Sequence, residues 1–347
     1  MTSTLLKDLF GVAKPVIAMV HLPGLPGRPR HDRRAAVRAI ADTVAADIAA
    51  LQDAGVDGLL FCNEADLPYQ LGVGPEAVAA MAAVIGAVRR ELSTPFGVNL
   101  VWDPVASLAV ARATGASFVR EVFTGVYESD LGVMRPDLGA IAAYRSGIGA
   151  GPGDREPVAL FSNITPEFAS SMASRTVAQR ARSAAFLGVD ALLVSGAITG
   201  EPTDLAQLRA AKAAAPGVPV LANTGVTADS VAACLAVADG AIVGTSLKRD
   251  GITWNPVDPV RARALMTAAR RSSQNGVNAL WPRARSSTSS ATCTGRACAS
   301  ASSSMPPVST SRTCWSSAGT WRARPSSRSC AVRTAGGTAP SSGTATS

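Results

Sequence analysis

Eight short apolar runs alternate with alanine-rich stretches between Pro15 and Leu247, and this alternation most strongly limits what the chain can fold into. The runs are rich in β-branched or aromatic residues and are bounded by Gly, Pro, Asp or Asn, which is typical of strands buried on both faces. They read PVIAMVHL (15–22), VDGLLFCN (56–63), FGVNLVWD (96–103), SFVREVFT (117–124), PVALFSNI (157–164), DALLVSG (190–196), PVLANTG (219–225) and DGAIVGTSL (239–247).

The stretches between the runs have the spacing of amphipathic helices. In DRRAAVRAIADTVAADIAALQDAG, apolar residues recur at i, i+3, i+4 and i+7, and Gly55 is a stop signal. Eight strand–helix units over about 255 residues match a (β/α)8 TIM barrel, a single-domain α/β fold. The alternative is a doubly wound open sheet, which would need a G-x-G-x-x-G first turn, whereas the first turn here reads HLPGLPGRPR. The barrel is therefore the predicted fold.

Composition divides the chain after Arg271. Residues 272–347 contain 20 Ser, 10 Thr and 8 Arg, with no Asp, Glu or Lys. The whole chain has 33 basic and 25 acidic residues, so the eight tail arginines account for the net charge of +8. We predict a barrel over residues 1–271 and a low-complexity tail over 272–347. That tail is a disordered segment, an Arg/Ser-rich binding arm, or, as its Trp and Cys content favours, an out-of-frame product.

Several classes of protein are excluded by what the barrel segment lacks. Because the barrel segment is neutral and the tail is interpreted as out of frame, we predict no nucleic-acid partner. Four of the six cysteines lie in the tail, and Cys62 and Cys234 alone are typical of a reducing cytosol. No apolar run reaches 18 residues and no signal peptide is evident, so we predict a cytoplasmic protein without a membrane span. The alanine-rich outer helices leave a homo-oligomer open.

The seventh and eighth predicted strands each end in a turn rich in backbone donors and hydroxyl groups. In a TIM barrel the chemistry lies at the C-terminal ends of the strands, where these two turns are neighbours. Unpaired amides at a helix N-terminus bind anions, and Thr227 is the expected N-cap of the helix after the seventh strand. We predict a phosphate-binding site, although such turns also serve backbone geometry alone. Its residues are Gly225, Thr227, Gly244, Thr245, Ser246 and Lys248.

The remaining strand ends are polar, and they predict the rest of a ligand-binding rim. The rim residues are Asn63, Asp66, Asn99, Arg120, Asn163, Ser195 and Asn223. His21 ends the first strand, where a general base or an anion or metal ligand would point. Asp103, Glu121 and the loop residue Asp130 could converge on a divalent cation or form an acid–base pair, or could be an ion-paired rim. His21, Asp103, Glu121 and Asp130 are therefore the predicted catalytic residues.

Some chemistries are disfavoured by the residues present. A Schiff-base aldolase needs a lysine within a strand, and none of Lys7, Lys14, Lys212 and Lys248 occupies such a position. No H-E-x-x-H, paired histidines or cysteine cluster indicates zinc. Cys62 ends the second strand, but no histidine is assigned to activate it, and a buried thiol is the simpler interpretation.

The chain resembles the BtpA/SgcQ family over about residues 5–271. The resemblance rests on VIAMVHLPGLPG, AGVDGLLFCNEADLPY, GVNLVWDP, GASFVREVFTGVYESDLG, DALLVSGAITG and ADGAIVGTSLKRDG. The resemblance implies a barrel with its site at the strand ends, but it implies no particular reaction. The positions of this sequence that match the family's motifs are His21, Asn63, Asp66, Asn99, Glu121, Asp130, Gly196, Gly225, Gly244, Thr245, Lys248 and Asp258. The family name implies a role in photosystem I biogenesis, whereas many members are found beside sugar-metabolism functions.

Two hypotheses about function follow. The first is an enzyme, a lyase, isomerase or hydrolase, that acts on a phosphorylated sugar or nucleoside. The second is a non-catalytic assembly factor that uses the barrel as a binding scaffold. In either case the predicted partner is a small ligand or a protein rather than nucleic acid.

Overall fold

The computed structural model describes the backbone of residues 4–280 and the side chains of residues 4–271. In this part of the chain eleven strands follow in order: β1 (Val16–His21), β2 (Gly58–Cys62), β3 (Phe96–Asn99), β4 (Phe118–Glu121), β5 (Tyr127–Ser129), β6 (Gly132–Met134), β7 (Ala159–Asn163), β8 (Ala169–Ser171), β9 (Ala191–Ser195), β10 (Val220–Asn223) and β11 (Gly240–Val243). Nine α-helices lie within the same residues: α1 (Leu5–Phe10), α2 (Val37–Asp53), α3 (Pro75–Val88), α4 (Pro104–Thr114), α5 (Leu138–Gly147), α6 (Val177–Phe186), α7 (Leu205–Ala214), α8 (Val231–Val237) and α9 (Pro259–Leu280).

Eight of the strands close into a barrel in the order β1-β11-β10-β9-β7-β4-β3-β2. All eight interfaces between these strands are parallel. Each barrel strand lies within one of the eight predicted runs, so the predicted (β/α)8 TIM barrel is confirmed. The carboxyl ends of all eight strands therefore meet at one mouth of the barrel.

The interior of the barrel is a packed aromatic and aliphatic core. The Phe118 and Phe161 rings stack with centroids 4.8 Å apart, and Phe10 of α1 meets Phe118 edge-on at 5.5 Å. Phe10 packs so closely over β2 that a Cβ on Gly58 would lie 2.6 Å from its ring. The sequence did not predict α1, which places Phe10 and Leu6 in this core.

Helix ends show the local chemistry that fixes each β/α unit. Pro75 begins α3, and a capping box of Thr176 and Gln179 begins α6. α2 ends at Asp53, two residues before Gly55, which adopts φ 79°. The left-handed backbone at Gly55 is the conformation expected of a helix stop.

A small antiparallel sheet was not predicted. β5 pairs with both β6 and β8, so the segments that follow β4 and β7 are joined beside the mouth. These strands have three residues each, too few for an alternating pattern to identify them in the sequence. Tyr127 of β5 is buried, and its hydroxyl donates to the Ile164 carbonyl at 3.3 Å.

Two further predictions concern the C-terminal boundary of the barrel and the absence of a membrane span. α9 continues to Leu280, beyond the predicted boundary at Arg271, and the rest of the predicted tail, from residue 281, lies outside the described residues. Within the described residues, no helix combines the length and the apolar character that crossing a membrane requires.

Candidate functional site

The mouth of the barrel is lined by the last inward-facing side chain of nearly every strand. Side chains alternate between the two faces of a strand, and Phe118 and Phe161 face the interior, so Arg120 and Asn163 two residues later face it too. The same alternation places a ring of polar side chains above the apolar core: His21, Cys62, Asn99, Arg120, Asn163, Ser195 and Asn223. Two adjoining cavities lie above this ring and share Glu64, Arg120, Glu167 and Thr199.

Arg120 is the central cation of the mouth. Its Nη2 lies 2.7 Å from Oε1 of Glu167, and its Nη1 donates to Oδ1 of Asn99 at 2.9 Å. Both side chains of the Arg120–Glu167 pair are largely buried. The Nε of Arg120 is buried without a hydrogen-bond partner among the described residues. The Nε–H of Arg120 is therefore a buried donor that none of the described residues satisfies.

Glu167 joins Arg120 to the amides of the neighbouring strands. Its Oε2 accepts from Nδ2 of Asn163 at 2.8 Å, and its Oε1 accepts from Nδ2 of Asn223 at 3.2 Å. The same two amide groups donate to Oγ of Ser195 at 2.9 and 2.6 Å. Residues from four strands or their loops thus form one hydrogen-bonded network, which holds the Glu167 carboxylate in a fixed place.

Glu121 is a buried carboxyl group that follows Arg120 in β4 and lines the first cavity. Its Oε1 accepts from Nδ2 of Asn99 at 2.6 Å and from Oγ of Ser107 at 2.9 Å. Burial raises the pKa of Glu121 to about 8, although these two hydrogen bonds and Arg120 act against the shift. Glu121 is therefore mostly protonated at neutral pH and can act as an acid.

A second buried carboxyl group, Glu64, lies between the two cavities. Burial raises the pKa of Glu64, with Arg120 opposing that effect. Cys62 donates to Oε2 of Glu64 at 3.5 Å, and the Tyr69 hydroxyl donates to the Glu64 carbonyl at 2.9 Å. Burial, and then the charge of Glu64, raise the pKa of the Cys62 thiol well above its ordinary value. Cys62 is therefore a neutral thiol and not an activated nucleophile.

His21 lines the second cavity as a neutral imidazole. Burial lowers its pKa to about 3, and the positive charge of Lys248 adds to the effect. Its Nδ1 is buried without a hydrogen-bond partner among the described residues. A Cβ on Gly244 would lie 3.2 Å from Cε1 of His21, so the imidazole packs directly on the backbone at the end of β11. His21 can share a hydrogen bond with a ligand but contributes no positive charge at neutral pH.

Three backbone amides line the second cavity without a partner. The N–H groups of Gly225, Gly244 and Thr245 make no hydrogen bond within the described part of the chain. All three residues line the cavity that contains His21. Gly225 has φ 60° and Thr224 has φ 66°, and this left-handed pair turns the chain sharply after β10. Gly244 and Thr245 are consecutive in the turn after β11, and free amides gathered in this way can form a concave anion-binding surface.

The segment of residues 197–203 covers this surface, and we call it the roof loop. A Cβ on Gly225 would lie 2.1 Å from the Glu201 carbonyl oxygen, so only glycine allows the loop to approach so closely. The Thr203 hydroxyl bonds the Asn223 carbonyl at 2.6 Å and fixes the end of the loop. The two cavities have room for about 50 and 40 Å³, enough for a few water molecules. Both cavities are also partly open to solvent.

Thr227 and Ser246, both predicted for the anion site, use their hydroxyl groups in other hydrogen bonds. The Thr227 hydroxyl accepts from the Ser230 N–H at 3.3 Å, and the Thr227 carbonyl accepts the Val231 N–H at 2.9 Å, at the start of α8. The Ser246 hydroxyl donates to the Val226 carbonyl at 2.6 Å. Thr227 and Ser246 line a separate cavity beside Arg261, away from His21. The structure therefore places both hydroxyl groups outside the two mouth cavities.

Lys248 is also placed differently from the prediction. Its ammonium group is buried and lies 2.7 Å from Oδ2 of Asp47 on α2. Oδ1 of Asp47 accepts the Val257 N–H at 2.7 Å. Lys248 therefore anchors the segment after β11 to a helix and does not line either mouth cavity.

Asn63 and Asp66 hold loops together outside the cavities. Oδ1 of Asn63 accepts the Val101 N–H at 2.8 Å, and its Nδ2 donates to Oδ2 of Asp66 at 2.9 Å. Oδ1 of Asp66 accepts the Leu25 N–H at 2.7 Å. Their predicted role in ligand binding is replaced by a structural one, because Asn63 follows the inward-facing Cys62 and points to the other face of the sheet.

The predicted convergence of Asp103, Glu121 and Asp130 does not occur. Asp103 caps α4 by accepting the Ala106 N–H at 2.9 Å, and its other oxygen accepts the Val73 N–H at 3.0 Å. Asp130 is exposed in the hairpin turn between β5 and β6. Among the described side chains, no group of three or more His, Cys, Asp or Glu residues is arranged to hold a metal ion.

The cleft also contains residues that the sequence did not identify as site residues. Glu64 and Glu167 lie in the loops that follow β2 and β7, where strand alternation no longer predicts the direction of a side chain. The remaining residues are aromatic or belong to the roof loop: Tyr69, Trp102, Phe168, Thr199 and Gly200. Trp102 and Phe168 adopt positive φ angles, 72° and 59°, which no sequence pattern indicates for these residue types.

The fold and the site define the protein as a (β/α)8 barrel with a polar, partly closed cleft at the C-terminal ends of its strands. The chain belongs to the BtpA family, whose sequence profile matches residues 12–271. The resemblance drawn from the motifs is therefore confirmed.

Relatives and a structural neighbour share most of the barrel. The sgc region protein SgcQ of Escherichia coli K12 is 44% identical over 262 residues, which are 75% of this chain and 96% of that protein. The Photosystem I biogenesis protein BtpA of Synechocystis is 30% identical over 267 residues, 76% of this chain and 90% of that protein. The structure of (S)-3-O-geranylgeranylglyceryl phosphate synthase from Thermoplasma acidophilum aligns with a TM-score of 0.52 at 14% identity, covering 78% of this chain and 100% of that one.

Proposed function

We propose that the protein is a cytoplasmic enzyme that binds a phosphorylated sugar or nucleoside at the mouth of the barrel and acts on it as a lyase, isomerase or hydrolase. One observation carries the proposal. The free N–H groups of Gly225, Gly244 and Thr245 line a cavity that continues to a buried Arg120–Glu167 pair. An anion-binding surface next to buried titratable groups is what such an enzyme needs.

Phosphate is the anion that this surface fits best. Backbone amides donate several hydrogen bonds to one tetrahedral group, and the neutral His21 can donate one more. The structural neighbour from Thermoplasma acidophilum was solved with its substrate sn-glycerol-1-phosphate, which is in keeping with this use of the barrel mouth. The free, buried Cys62 and Cys234 are in keeping with a reducing compartment.

Two carboxyl groups supply the acid and the base. Glu121, with its pKa raised to about 8, can donate a proton. Glu167 is held against Arg120 at 2.7 Å and can accept one as a carboxylate. Two carboxyl groups that line one cavity are a common arrangement for acid–base catalysis.

Titration calorimetry with inorganic phosphate and ribose 5-phosphate tests this proposal. Thr245→Glu places a negative charge in the cavity and should weaken binding of both probes by at least tenfold. Thr43→Glu adds the same charge at an exposed position of α2 and should change neither affinity. If the wild-type protein binds neither probe, or if both variants behave alike, the proposal is wrong.

The relative from Synechocystis supports a second candidate function, a non-catalytic assembly factor. An assembly factor would use the barrel surface, and its partner binding would survive His21→Ala and Glu121→Gln. An enzyme would lose turnover with Glu121→Gln while keeping its fold. Any homo-oligomer would be compatible with both.

A further inference from the structure

Strained backbone is concentrated at the mouth of the barrel. Four residues other than glycine have positive φ in the described chain: Trp102 at 72°, Phe168 at 59°, Thr224 at 66° and Asp250 at 59°. The first three line the two mouth cavities. Bulky residues rarely adopt this conformation because it costs free energy, and such residues cluster at functional sites. The two aromatic residues both belong to the first cavity.

Trp102 and Phe168 are held in place by separate parts of the fold. Trp102 precedes Asp103, the cap of α4, and packs partly against the buried cluster of Val122, Tyr127 and Met134. Phe168 donates its N–H to the Ala197 carbonyl at 2.9 Å and precedes β8. Its side chain is nevertheless 40% exposed. Two large rings thus occupy the cavity wall at strained positions, and one of them is left partly open to solvent.

The remaining lining of the first cavity offers hydrogen-bonding groups of both kinds. Oε2 of Glu121 has no hydrogen-bond partner within the described residues, and Nε of Arg120 is buried and unpaired. Glu64 and Asn163 complete the polar lining. A protonated carboxyl group at Glu121 can donate as well as accept, which suits the edge of a heterocycle that carries both ring nitrogens and amino or carbonyl groups.

The two cavities have a fixed order along the cleft. The free amides of Gly225, Gly244 and Thr245 lie at the far wall of the second cavity, the shared residues Arg120 and Glu167 lie between the cavities, and the aromatic residues line the first. A phosphate on the amides would place its sugar near the shared residues. The aromatic cavity would then receive a further group attached to that sugar.

We infer that the aromatic cavity binds the planar heterocycle of a nucleoside phosphate, so that the substrate class is a nucleotide rather than a simple sugar phosphate. This inference rests on the proposed function and makes it more specific. The Trp102 and Phe168 rings provide stacking surface for a planar ring. The polar groups of Glu64, Glu121 and Arg120 contact its edge. The first cavity is partly open to solvent, which gives such a ring a way in.

Calorimetry with ribose 5-phosphate, AMP and UMP tests the inference on the full chain. At least one nucleotide should bind the wild-type protein tenfold or more tightly than ribose 5-phosphate does. Trp102→Ala and Phe168→Ala should each reduce that ratio to less than threefold, and Trp102→Phe, which keeps a ring, should retain most of it. Phe186→Ala removes a ring that is 88% exposed at the end of α6, outside both cavities, and should leave the ratio unchanged.

The outcomes separate the two levels of the proposal. If ribose 5-phosphate binds but neither nucleotide binds more tightly, or if the ratio survives both alanine variants, the heterocycle site is wrong and phosphate binding stands. If none of the three probes binds, the proposed function fails and this inference fails with it. Should Trp102→Ala not fold by circular dichroism, Phe168→Ala and Trp102→Phe decide, since Phe168 is already part-exposed.

Discussion

Replacing Lys248 tests directly whether the segment after β11 is held by a buried ion pair or binds the ligand's charge. The Lys248 side chain is 2% exposed and its partner Asp47 is 11% exposed, with Nζ and Oδ2 2.7 Å apart. Lys248→Met keeps the length of the side chain but removes the charge. Asp47 would then be a buried carboxylate that keeps only the Val257 N–H.

The expected loss of stability follows from this geometry. Breaking a buried ion pair by removing one partner costs about 3–5 kcal/mol, because the remaining charge stays buried without compensation. At 2–4 °C per kcal/mol, Lys248→Met should lower Tm by roughly 6–20 °C. Asp47→Asn should restore much of this in the double variant, since an amide oxygen can still accept the Val257 N–H and no unpaired charge is left. The double variant should be about 1–3 kcal/mol more stable than the sum of the single effects.

Thermal unfolding by circular dichroism measures the stability, and calorimetry with inorganic phosphate measures the ligand effect. Lys248→Met should unfold at a lower temperature yet bind phosphate within threefold of wild type at 15 °C, where both proteins are folded. A variant with an unchanged Tm and a tenfold or greater loss of phosphate affinity would refute the reasoning. In that case Lys248 would turn to the ligand in the bound state, as its position after the eighth strand suggested.

Three further predictions follow from single contacts. The pKa of Glu121 is about 8 when folded against 4.5 when unfolded, so its stabilising effect is complete below pH 4.5 and is lost as pH rises toward 8; Glu121→Gln should therefore gain stability relative to wild type across pH 5–8 in denaturant titrations. Gly225→Ala should cost about 1–3 kcal/mol more than Gly188→Ala in the same unfolding assay, since both have positive φ but only Gly225 meets a backbone oxygen at 2.1 Å. Cys62 should resist iodoacetamide at pH 8 in the folded protein and react only in denaturant, as peptide mass spectrometry would show; rapid labelling without denaturant would contradict its burial and raised pKa.

The barrel could be predicted because its signal is repeated eight times. An error in one run would have left seven others, and the strand–helix alternation admits few topologies. The elements that were missed occur once and are short. α1 has six residues, and the sheet of β5, β6 and β8 has three residues in each strand. Neither length allows a hydrophobic period to be read.

The candidate site was harder to predict because strands buried on both faces hide their direction. The run VDGLLFCN has no polar residue from Gly58 to Phe61, so nothing in it shows whether Cys62 or Asn63 faces the interior. If the inward-facing positions are assigned one residue too early or too late, every side chain assigned to the cavity faces the outer helices instead. Asn99 and Asn163 are the last residues of their strands and face the interior, whereas Asn63 lies one residue beyond the end of β2.

Residues beyond the strand ends depend on how the loops close, which no local pattern determines. Asp103 and Glu167 are both acidic and both follow a strand, yet Asp103 caps a helix and Glu167 meets Arg120 at 2.7 Å. The difference lies in Pro104, which begins α4 immediately after Asp103 and makes that aspartate its N-cap. Glu167 has no helix after it and remains free to turn into the mouth.

The charge balance of the mouth indicates how a phosphate would be held. Arg120 is already paired with Glu167, and Lys248 is paired with Asp47, so neither of these two cations offers free positive charge to the mouth. His21 is neutral because its pKa is about 3. Binding must therefore rely on backbone dipoles and on the spare N–H of Arg120 rather than on free positive charge. Because fixed, partly buried dipoles are screened by salt less than exposed lysines are, phosphate affinity should change little between 50 and 300 mM KCl, whereas a site that relied on surface lysines would weaken steeply.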